Sequence, residues 1–470
     1  MELHVILLSL VGVGALTLLV ASFLLFPARY RPSSTSSPAA KKHVTAQVLV
    51  LGDIGRSPRM QYHALSIAKH GGIVELIGYH ESALLPALTR LPNVTVCALG
   101  APPAAFRSKS APFIITGPLK VVWQILNLIH VLLYKTEPAQ WLLVQNPPSI
   151  PTLAVAWLTC ALRNTRLIID WHNYGWTILA GTRGPSHPFV LISKLYESFF
   201  GRHAPSANLT VTHAMKRQLR AAPWNIRSPI AAMHDRPAAI FQPVSSPGQR
   251  ESHLAAVDET RDFAPAIMSG QQRLVVSSTS WTPDEDFGLL LDALVQYASD
   301  DTSSSSSSGS GGRAPLLVVI TGRGPQRAAY EAKVAELAAA GRLPGITVRT
   351  AFLAFDDYAR LLAAADLGIC LHMSSSGVDL PMKVVDMFGA GLPVLAYSGY
   401  ESFGELVREG ENGCGFETSA QLGDAMGRLL ADGGREELAR LREGAVKEGS
   451  RRWDEEWDEV VKPLLGFSEE

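Results

Sequence analysis

The chain carries no excess charge of either sign, has no clustered cysteines, and is sparing with charged residues. Forty-two Lys and Arg stand against 43 Asp and Glu, a net charge of −1, so no general attraction to nucleic acid is implied and none is expected as a partner. The four cysteines, Cys97, Cys160, Cys370 and Cys414, lie far apart without metal-type spacing, and Cys370 sits inside an apolar run. This excludes a disulfide framework and points to reduced, mostly buried thiols in a cytosolic environment. No carboxylate or histidine cluster has the spacing of a tightly bound metal, so no metal ligands are assigned and divalent-cation dependence stays open.

Also missing is a basic stretch ahead of the first apolar run. Val5 to Phe26 contains 22 residues without a charge, which at helical rise spans roughly 33 Å and matches a bilayer core. The run is longer than a signal-peptide core and lacks its basic flank, so residues 1–27 read as a transmembrane helix that stays attached. Arg29, Arg31, Lys41 and Lys42 follow it while only Glu2 and His4 precede it, an asymmetry that places the bulk of the chain in the cytosol. On that topology the sequons at Asn93 and Asn208 are coincidental.

What remains is a globular body. At 470 residues, 47% hydrophobic and 18% charged, the chain can build two or three domains with sizeable cores. Pro32 to Ala40, rich in Ser and Pro, reads as a tether within a linker over 28–44. From Ala46 onward apolar strand-like runs alternate with helical segments, the pattern of a parallel sheet covered on both faces. Candidate strands are Val48 to Leu51, Ile73 to Ile77, Val94 to Leu99, Trp141 to Gln145, Leu167 to Asp170 and Leu209 to Thr212. A second series comprises Leu274 to Ser277, Leu316 to Thr321, Ile346 to Arg349, Leu367 to Leu371 and Pro393 to Ala396. Between the series, residues 224–272 look loop-like because prolines interrupt them. The expected architecture is α/β, with Rossmann-like domains over 45–235 and 236–440, a cleft between them, and a closing helical segment over 441–470. The Ser/Gly tract at 303–312 reads as a disordered insertion over 301–313.

Ligands bind at the carboxyl ends of strands in open α/β sheets, and this chain carries signals there. Leu367 to Leu371 leads through His372 to Ser374, Ser375, Ser376 and Gly377, a turn able to offer hydroxyls and N–H groups to an anion. Pro381 suits a first helical position, and Lys383 and Asp386 share one side of the helix that follows. Lys383 suits a diphosphate and Asp386 ribose hydroxyls, unless the two simply form a surface pair. Ser280 and Trp281 follow one strand, and Gly322-Arg323-Gly324 follows the next, where backbone and guanidinium could approach phosphate together. The earlier series offers Gly52 to Arg59, including Asp53, Gly55, Arg56 and Arg59, and then Asp170-Trp171-His172-Asn173-Tyr174-Gly175. We read the first set as donor-binding, and Gly55, Arg56, Arg59, Trp171 and Asn173 as acceptor-binding.

Asp170-Trp-His-Asn-Tyr-Gly, Ser277-Ser-Thr-Ser-Trp-Thr-Pro-Asp-Glu-Asp-Phe and Gly377-Val-Asp-Leu-Pro-Met-Lys-Val-Val-Asp-Met-Phe-Gly resemble the motifs of the chitobiosyldiphosphodolichol β-mannosyltransferases. These enzymes add the first mannose to the dolichol-linked oligosaccharide. The similarity runs from about Val48 to Phe416 and implies a GT-B fold, GDP-mannose as donor and dolichyl-diphosphate-linked di-N-acetylglucosamine as acceptor. It also implies work at the cytosolic face of the endoplasmic reticulum membrane, with other mannosyltransferases of the pathway as candidate partners. No tightly bound cofactor is implied.

Retaining GT-B enzymes place two carboxylates about the start of the Lys383 helix. Aligned on Asp386, the earlier position here is Val378, with Asp379 one step displaced. Inversion instead needs a base near the acceptor hydroxyl, for which Asp53, Glu81 and His172 are the candidates. His172 could equally be a loop histidine, and Asp53 a helix cap. Phe113 to Tyr134 and Pro188 to Phe200 are apolar enough to enter a membrane surface, or to be buried helices. Two other classes stay open: a retaining mannosyltransferase acting later on the same lipid, and a catalytically silent GT-B scaffold.

Overall fold

The computed structural model describes residues 28–31, 43–103, 113–282, 285–303 and 313–467. The expected anchor, the tether and nearly all of the Ser/Gly tract lie outside these residues. The chain divides into two compact units. The first holds the residues through Thr210, Lys216–Met233 and those from Trp457 onward; the second holds Val211–Met215 and His234–Glu456.

The first unit is built on a seven-stranded sheet in the order β3-β2-β1-β4-β5-β6-β7. Its strands are β1 (Thr45–Asp53), β2 (Ile73–Tyr79), β3 (Val94–Ala98), β4 (Trp141–Asn146), β5 (Arg166–Trp171), β6 (Ala207–Thr210) and β7 (Ile230–Ala232). Every pairing is parallel. Six consecutive residues of β1 are buried, because helices cover both faces and leave no polar alternation. Helices that matter here are α1 (Pro58–Lys69), α2 (Phe113–His130), α3 (Thr152–Arg163), α4 (Gly175–Arg183) and α5 (Pro188–His203). α2 packs on α3 and α3 on α5, so the three form one layer. The chain builds outward from β1 to β3, returns to β4 and then builds the other way. Its topological switch therefore falls between β1 and β4.

The second unit repeats the plan with six parallel strands in the order β10-β9-β8-β11-β12-β13. These are β8 (Arg273–Ser278), β9 (Leu316–Thr321), β10 (Ile346–Ala351), β11 (Leu367–Cys370), β12 (Val394–Tyr397) and β13 (Gly413–Phe416). Alternate residues feed the two faces: Leu274 and Val276 join the core that holds Val384 and Phe388, while Val275 joins the one that holds Leu290 and Trp281. Here the switch falls between β8 and β11.

Three elements differ from the sequence reading. β7 was not expected, because three residues are too few to show a pattern and only pairing with β6 makes them a strand. β13, Gly-Cys-Gly-Phe, was also absent from the expected strands; a Cβ on Gly413 would stand 2.6 Å from the Val394 carbonyl oxygen, so the glycine is what lets β13 approach β12. Within the supposed loop at 224–272, Pro247–Ala256 is helical; Pro247 stands at the first position and Ser246 caps the Gln249 N–H. The C-terminal helix Trp453–Val460 has Trp457 fully buried, and Trp141 Nε1 donates to Leu465 O at 3.0 Å.

Candidate active site

In the second unit the loops after β8 and β11 meet at the switch point. A bridge pairs Glu285 with His372. Glu285 is 1% exposed and accepts from Thr279 Oγ1 and from the Ser280 N–H at 2.9 Å. Its other oxygen pairs with Lys383 Nζ. Helix α6 (Met382–Gly389) starts one residue later than expected, with Pro381 as its cap. Lys383 thus joins the β8 loop through Glu285 rather than pairing with Asp386. Sequence reasoning missed Glu285 although it stands in a quoted motif, because only the fold brings it across to Lys383.

Lys383 also lines a cavity of about 450 Å³ with Ser278, Thr321, Gly322, Phe352 and Tyr358 among its walls. Arg323 is exposed on the β9 loop and stacks over Phe352, its guanidinium carbon 3.6 Å from the ring centre. The flanking glycines have a reason other than phosphate approach. A Cβ on Gly322 would lie 1.8 Å from the Thr279 carbonyl oxygen, and one on Gly324 1.8 Å from that of Ser280. The two loops touch backbone to backbone. Ser280 is exposed beside them.

Trp281, expected at the donor, is buried instead. It stacks on Phe287 with ring centres 4.5 Å apart, and its Nε1 donates to Gly322 O. Its backbone is left-handed, with φ at +50°, a conformation rare for a bulky residue. In the serine turn, Ser374 Oγ accepts from the Gly377 N–H at 2.8 Å and Ser376 Oγ from the Val378 N–H at 3.4 Å. These hydroxyls brace the turn, and Ser375 is the exposed one. Val378 is fully buried, and its carbonyl accepts from Thr212 Oγ1.

Asp386 differs electrostatically from what its sequence position suggests. Burial and the nearby charge of Asp235 push its carboxyl up to about 8. At neutral pH and without ligand it is mostly protonated, so it can donate as well as accept a hydrogen bond.

In the first unit, Asp53 ends β1 and caps the short turn Ile54–Arg56. One carboxylate oxygen accepts from the N–H groups of Gly55, Glu81 and Ser82 at 3.1 to 3.2 Å; the other lies 3.5 Å from Arg56. Burial opposes its charge, but the Ser82 side chain and these N–H groups hold it below the usual carboxylate value. Asp53 and Glu81 are thus brought together through the Glu81 backbone, while the Glu81 residue itself is exposed. Gly55 is fixed by packing, since a Cβ there would stand 2.6 Å from Ser82 O.

Two residues expected at the acceptor are buried. Arg59 is 2% exposed and holds both oxygens of Asp170, at 2.8 and 3.0 Å. Trp171 is fully buried, its Nε1 donating to Asn208 Oδ1. Both contradict a ligand-facing role; the apolar ring and the guanidinium are drawn inward by packing and by Asp170. Asn173 Oδ1 accepts from the Tyr174 N–H just before α4.

Asp170 organises this end of the sheet. It is fully buried and also accepts from His172 Nε2 at 2.9 Å and His63 Nε2 at 3.2 Å. Burial opposes ionisation, yet the Arg59 charge and His172 hold the carboxyl well below its ordinary value. Trp457 Nε1 donates to His63 Nδ1 at 3.1 Å. An indole N–H can only donate, so His63 keeps its proton on Nε2, facing Asp170; burial also lowers its pKa. An ionised Asp170 can only accept, so His172 turns Nε2–H to it; in the neutral imidazole that leaves the lone pair on Nδ1, on a side chain 24% exposed. Arg59 and His63, one turn apart on α1, are the signal that could have located this cluster. Glu197, also missed, is buried on α5 and accepts from Asn146 Nδ2 at 2.6 Å and from the Gly175 N–H at 3.1 Å. It fixes the start of α4.

Residues 306–432 match the family model of glycosyl transferases group 1. A chitobiosyldiphosphodolichol beta-mannosyltransferase of Arthroderma benhamiae is 47% identical over 377 residues, 80% of this chain and 83% of the relative. That of Mus musculus is 39% identical over 452 residues, covering 90% and 89%. Among solved structures, a sucrose-phosphate synthase from Thermosynechococcus elongatus superposes with a TM-score of 0.61 at 12% identity, over 90% of this chain and 97% of the other. That likeness bears on fold alone, and the fold is GT-B. On identity of this extent over most of its length, the chain belongs to the chitobiosyldiphosphodolichol beta-mannosyltransferase family.

Proposed function

We propose that the chain transfers mannose from GDP-mannose in β-1,4 linkage to dolichyl-diphosphate-linked di-N-acetylglucosamine, with inversion, at the cytosolic face of the endoplasmic reticulum. A single-pass anchor at residues 1–27 holds it there. The observation that carries the chemistry is the His172 to Asp170 pair at the end of β5: an ionised, buried carboxylate fixes one imidazole nitrogen and leaves the other as a base. Asp53 is the weaker candidate, since three N–H groups occupy one of its oxygens, and it is assigned to ordering the loop that carries Glu81.

In this reading the acceptor's 4-hydroxyl gives its proton to His172 Nδ1 while its oxygen attacks the anomeric carbon. The bond from that carbon to GDP breaks on the opposite face. Lys383, turned from Glu285 toward the diphosphate, and Arg323 meet the charge that leaves. The cavity beside Phe352 suits a purine, and Asp386 the ribose. Val378 in place of a carboxylate supports inversion over retention, since its side chain is apolar and buried.

The test is transfer from GDP-mannose to a short lipid-diphosphate chitobiose by purified protein, with the anomeric configuration of the product determined and UDP-sugars as competing donors. A β-mannoside made from GDP-mannose is expected. An α-linked product, or preference for a UDP-sugar, would overturn the reading.

A further inference from the structure

Lys194 of α5 is a half-buried cation without a counter-charge. Its Nζ lies 4.6 Å from the ring centre of Trp176 in α4, and among the described residues it has no carboxylate partner. Glu197, one turn further along α5, does not serve: it is fully buried, and its oxygens accept from Asn146 Nδ2 and from the N–H groups of Gly175 and Trp176. Those bonds seat the start of α4 against α5, which holds the Trp176 ring under Lys194. The indole also has a donor to spare. Its Nε1–H is buried without an acceptor among the described residues, although an interior indole N–H usually finds one.

A lone ammonium and an orphan indole N–H at the same spot lack the same thing, an anionic oxygen. The indole N–H is covered in this state, so the ammonium meets a ligand first. An ammonium on a ring face is held less firmly than one donating to phosphate, so an arriving phosphate takes it from the ring. Position narrows what the anion is. Trp176 follows His172 by four residues, at most about 14 Å of chain, just beyond the carboxyl end of β5. On α5 itself the surroundings of Lys194 are apolar: Leu191, one turn earlier, and Leu195, the next residue, are both exposed, the latter by 62%. A molecule meeting all of these carries a hydroxyl-bearing group at one end, a phosphate in the middle and a hydrocarbon chain at the other. The donor's diphosphate is provided for separately, by Lys383 and Arg323 of the second unit.

We propose that Lys194 binds the diphosphate of the lipid-linked acceptor, leaving the Trp176 ring as it does so. With the diphosphate held there, the two sugar rings span the interval to Nδ1 of His172, and the hydrocarbon chain departs past Leu191 and Leu195. The proposal deepens the functional reading above and takes the identity of the acceptor from it.

The test titrates the full chain in neutral detergent with farnesyl diphosphate, inorganic pyrophosphate and GDP, reading bound ligand by native mass spectrometry. Lys194→Gln should weaken farnesyl diphosphate about tenfold or more and leave GDP binding as it was, with Lys194→Arg regaining most of the loss. Undiminished binding of farnesyl diphosphate by Lys194→Gln would overturn the site. So would an equal loss of GDP, which would move Lys194 to the donor, or pyrophosphate binding as tightly as its farnesyl ester. These titrations involve no sugar transfer, so an α-linked product or a preference for a UDP-sugar in the activity assay leaves them standing. In turnover, Lys194→Gln should raise KM about tenfold more for a lipid-diphosphate chitobiose than for a lipid chitobioside lacking the diphosphate, with kcat little changed. An equal rise on both acceptors would show a structural role and overturn the assignment. If Lys194→Gln does not fold, Lys194→Met, which keeps the apolar stem, must show the same selective losses.

Discussion

At the scale of single residues, the proposed base His172 and the Asp170 that supports it make separable predictions. His172→Gln should lower the catalytic rate roughly 10²- to 10⁴-fold with the melting temperature nearly unchanged, because the ring is partly exposed and reaches the fold through one hydrogen bond. Asp170→Asn should do something different: it leaves Arg59 buried without its counter-charge, at a cost of about 3–5 kcal/mol. A stable, fully active Asp170→Asn protein in denaturation and rate measurements would refute that account. Across the switch point of the second unit, Lys383→Ala removes a charge-assisted contact worth about 1.5–3 kcal/mol, so activity should fall at least about tenfold. Unchanged turnover and donor KM would sink the assignment. Asp386 makes a pH prediction. Its folded pKa of about 8 lies above the ordinary 3.8, so the unfolded chain ionises first and stability is lost as pH rises between those values, levelling off above them. Asp386→Asn should flatten this slope and be the more stable protein near pH 8, which denaturant titrations without donor would reveal.

The elements that carry these residues were legible to different degrees. Parallel strands buried on both faces announce themselves as apolar runs, and most were placed within a residue or two. What the runs could not disclose is pairing order. That order puts the β8 loop beside the β11 loop, and it explains Gly322: with φ at +140° and the Thr279 carbonyl in the way, Gly322→Ala should destabilise by more than about 1 kcal/mol and weaken donor binding. Gly181→Ala in α4, with open space around it, should instead stabilise by about 0.4–1 kcal/mol. Thermal melts of the pair test whether loop contact or general glycine content matters. Helix α5 shows the limit of composition. Its apolar character was plain, but which face turned outward depended on Glu197 finding Asn146 and the start of α4.

For the whole molecule, every proposed site residue lies within one or other of the two α/β units and none in residues 1–27, so catalysis should not require the anchor. Deleting residues 1–27 should leave a folded protein that still turns over a water-soluble acceptor analogue, while transfer to a long-chain lipid acceptor in bilayers falls. A folded but wholly inactive truncation in the soluble assay would place the anchor within the catalytic unit.

The sequence by itself determined the α/β class, because burying a sheet on both faces forces apolar runs that alternate with helices. It marked the loops at strand ends as candidate sites, since glycine, serine and short polar residues cluster there. It also displayed the motif spacing by which the family is recognised. Only the tertiary structure decided which side chains in those loops face solvent. Trp281, Trp171 and Arg59 share their motifs with ligand-facing candidates, but a large ring or a guanidinium goes wherever its burial and hydrogen bonds are best satisfied. Glu285 reaches Lys383, and His63 and Arg59 reach Asp170, across 98, 107 and 111 residues of chain. Local sequence carries no record of such distances; strand order and the packing of α1 against the sheet create them.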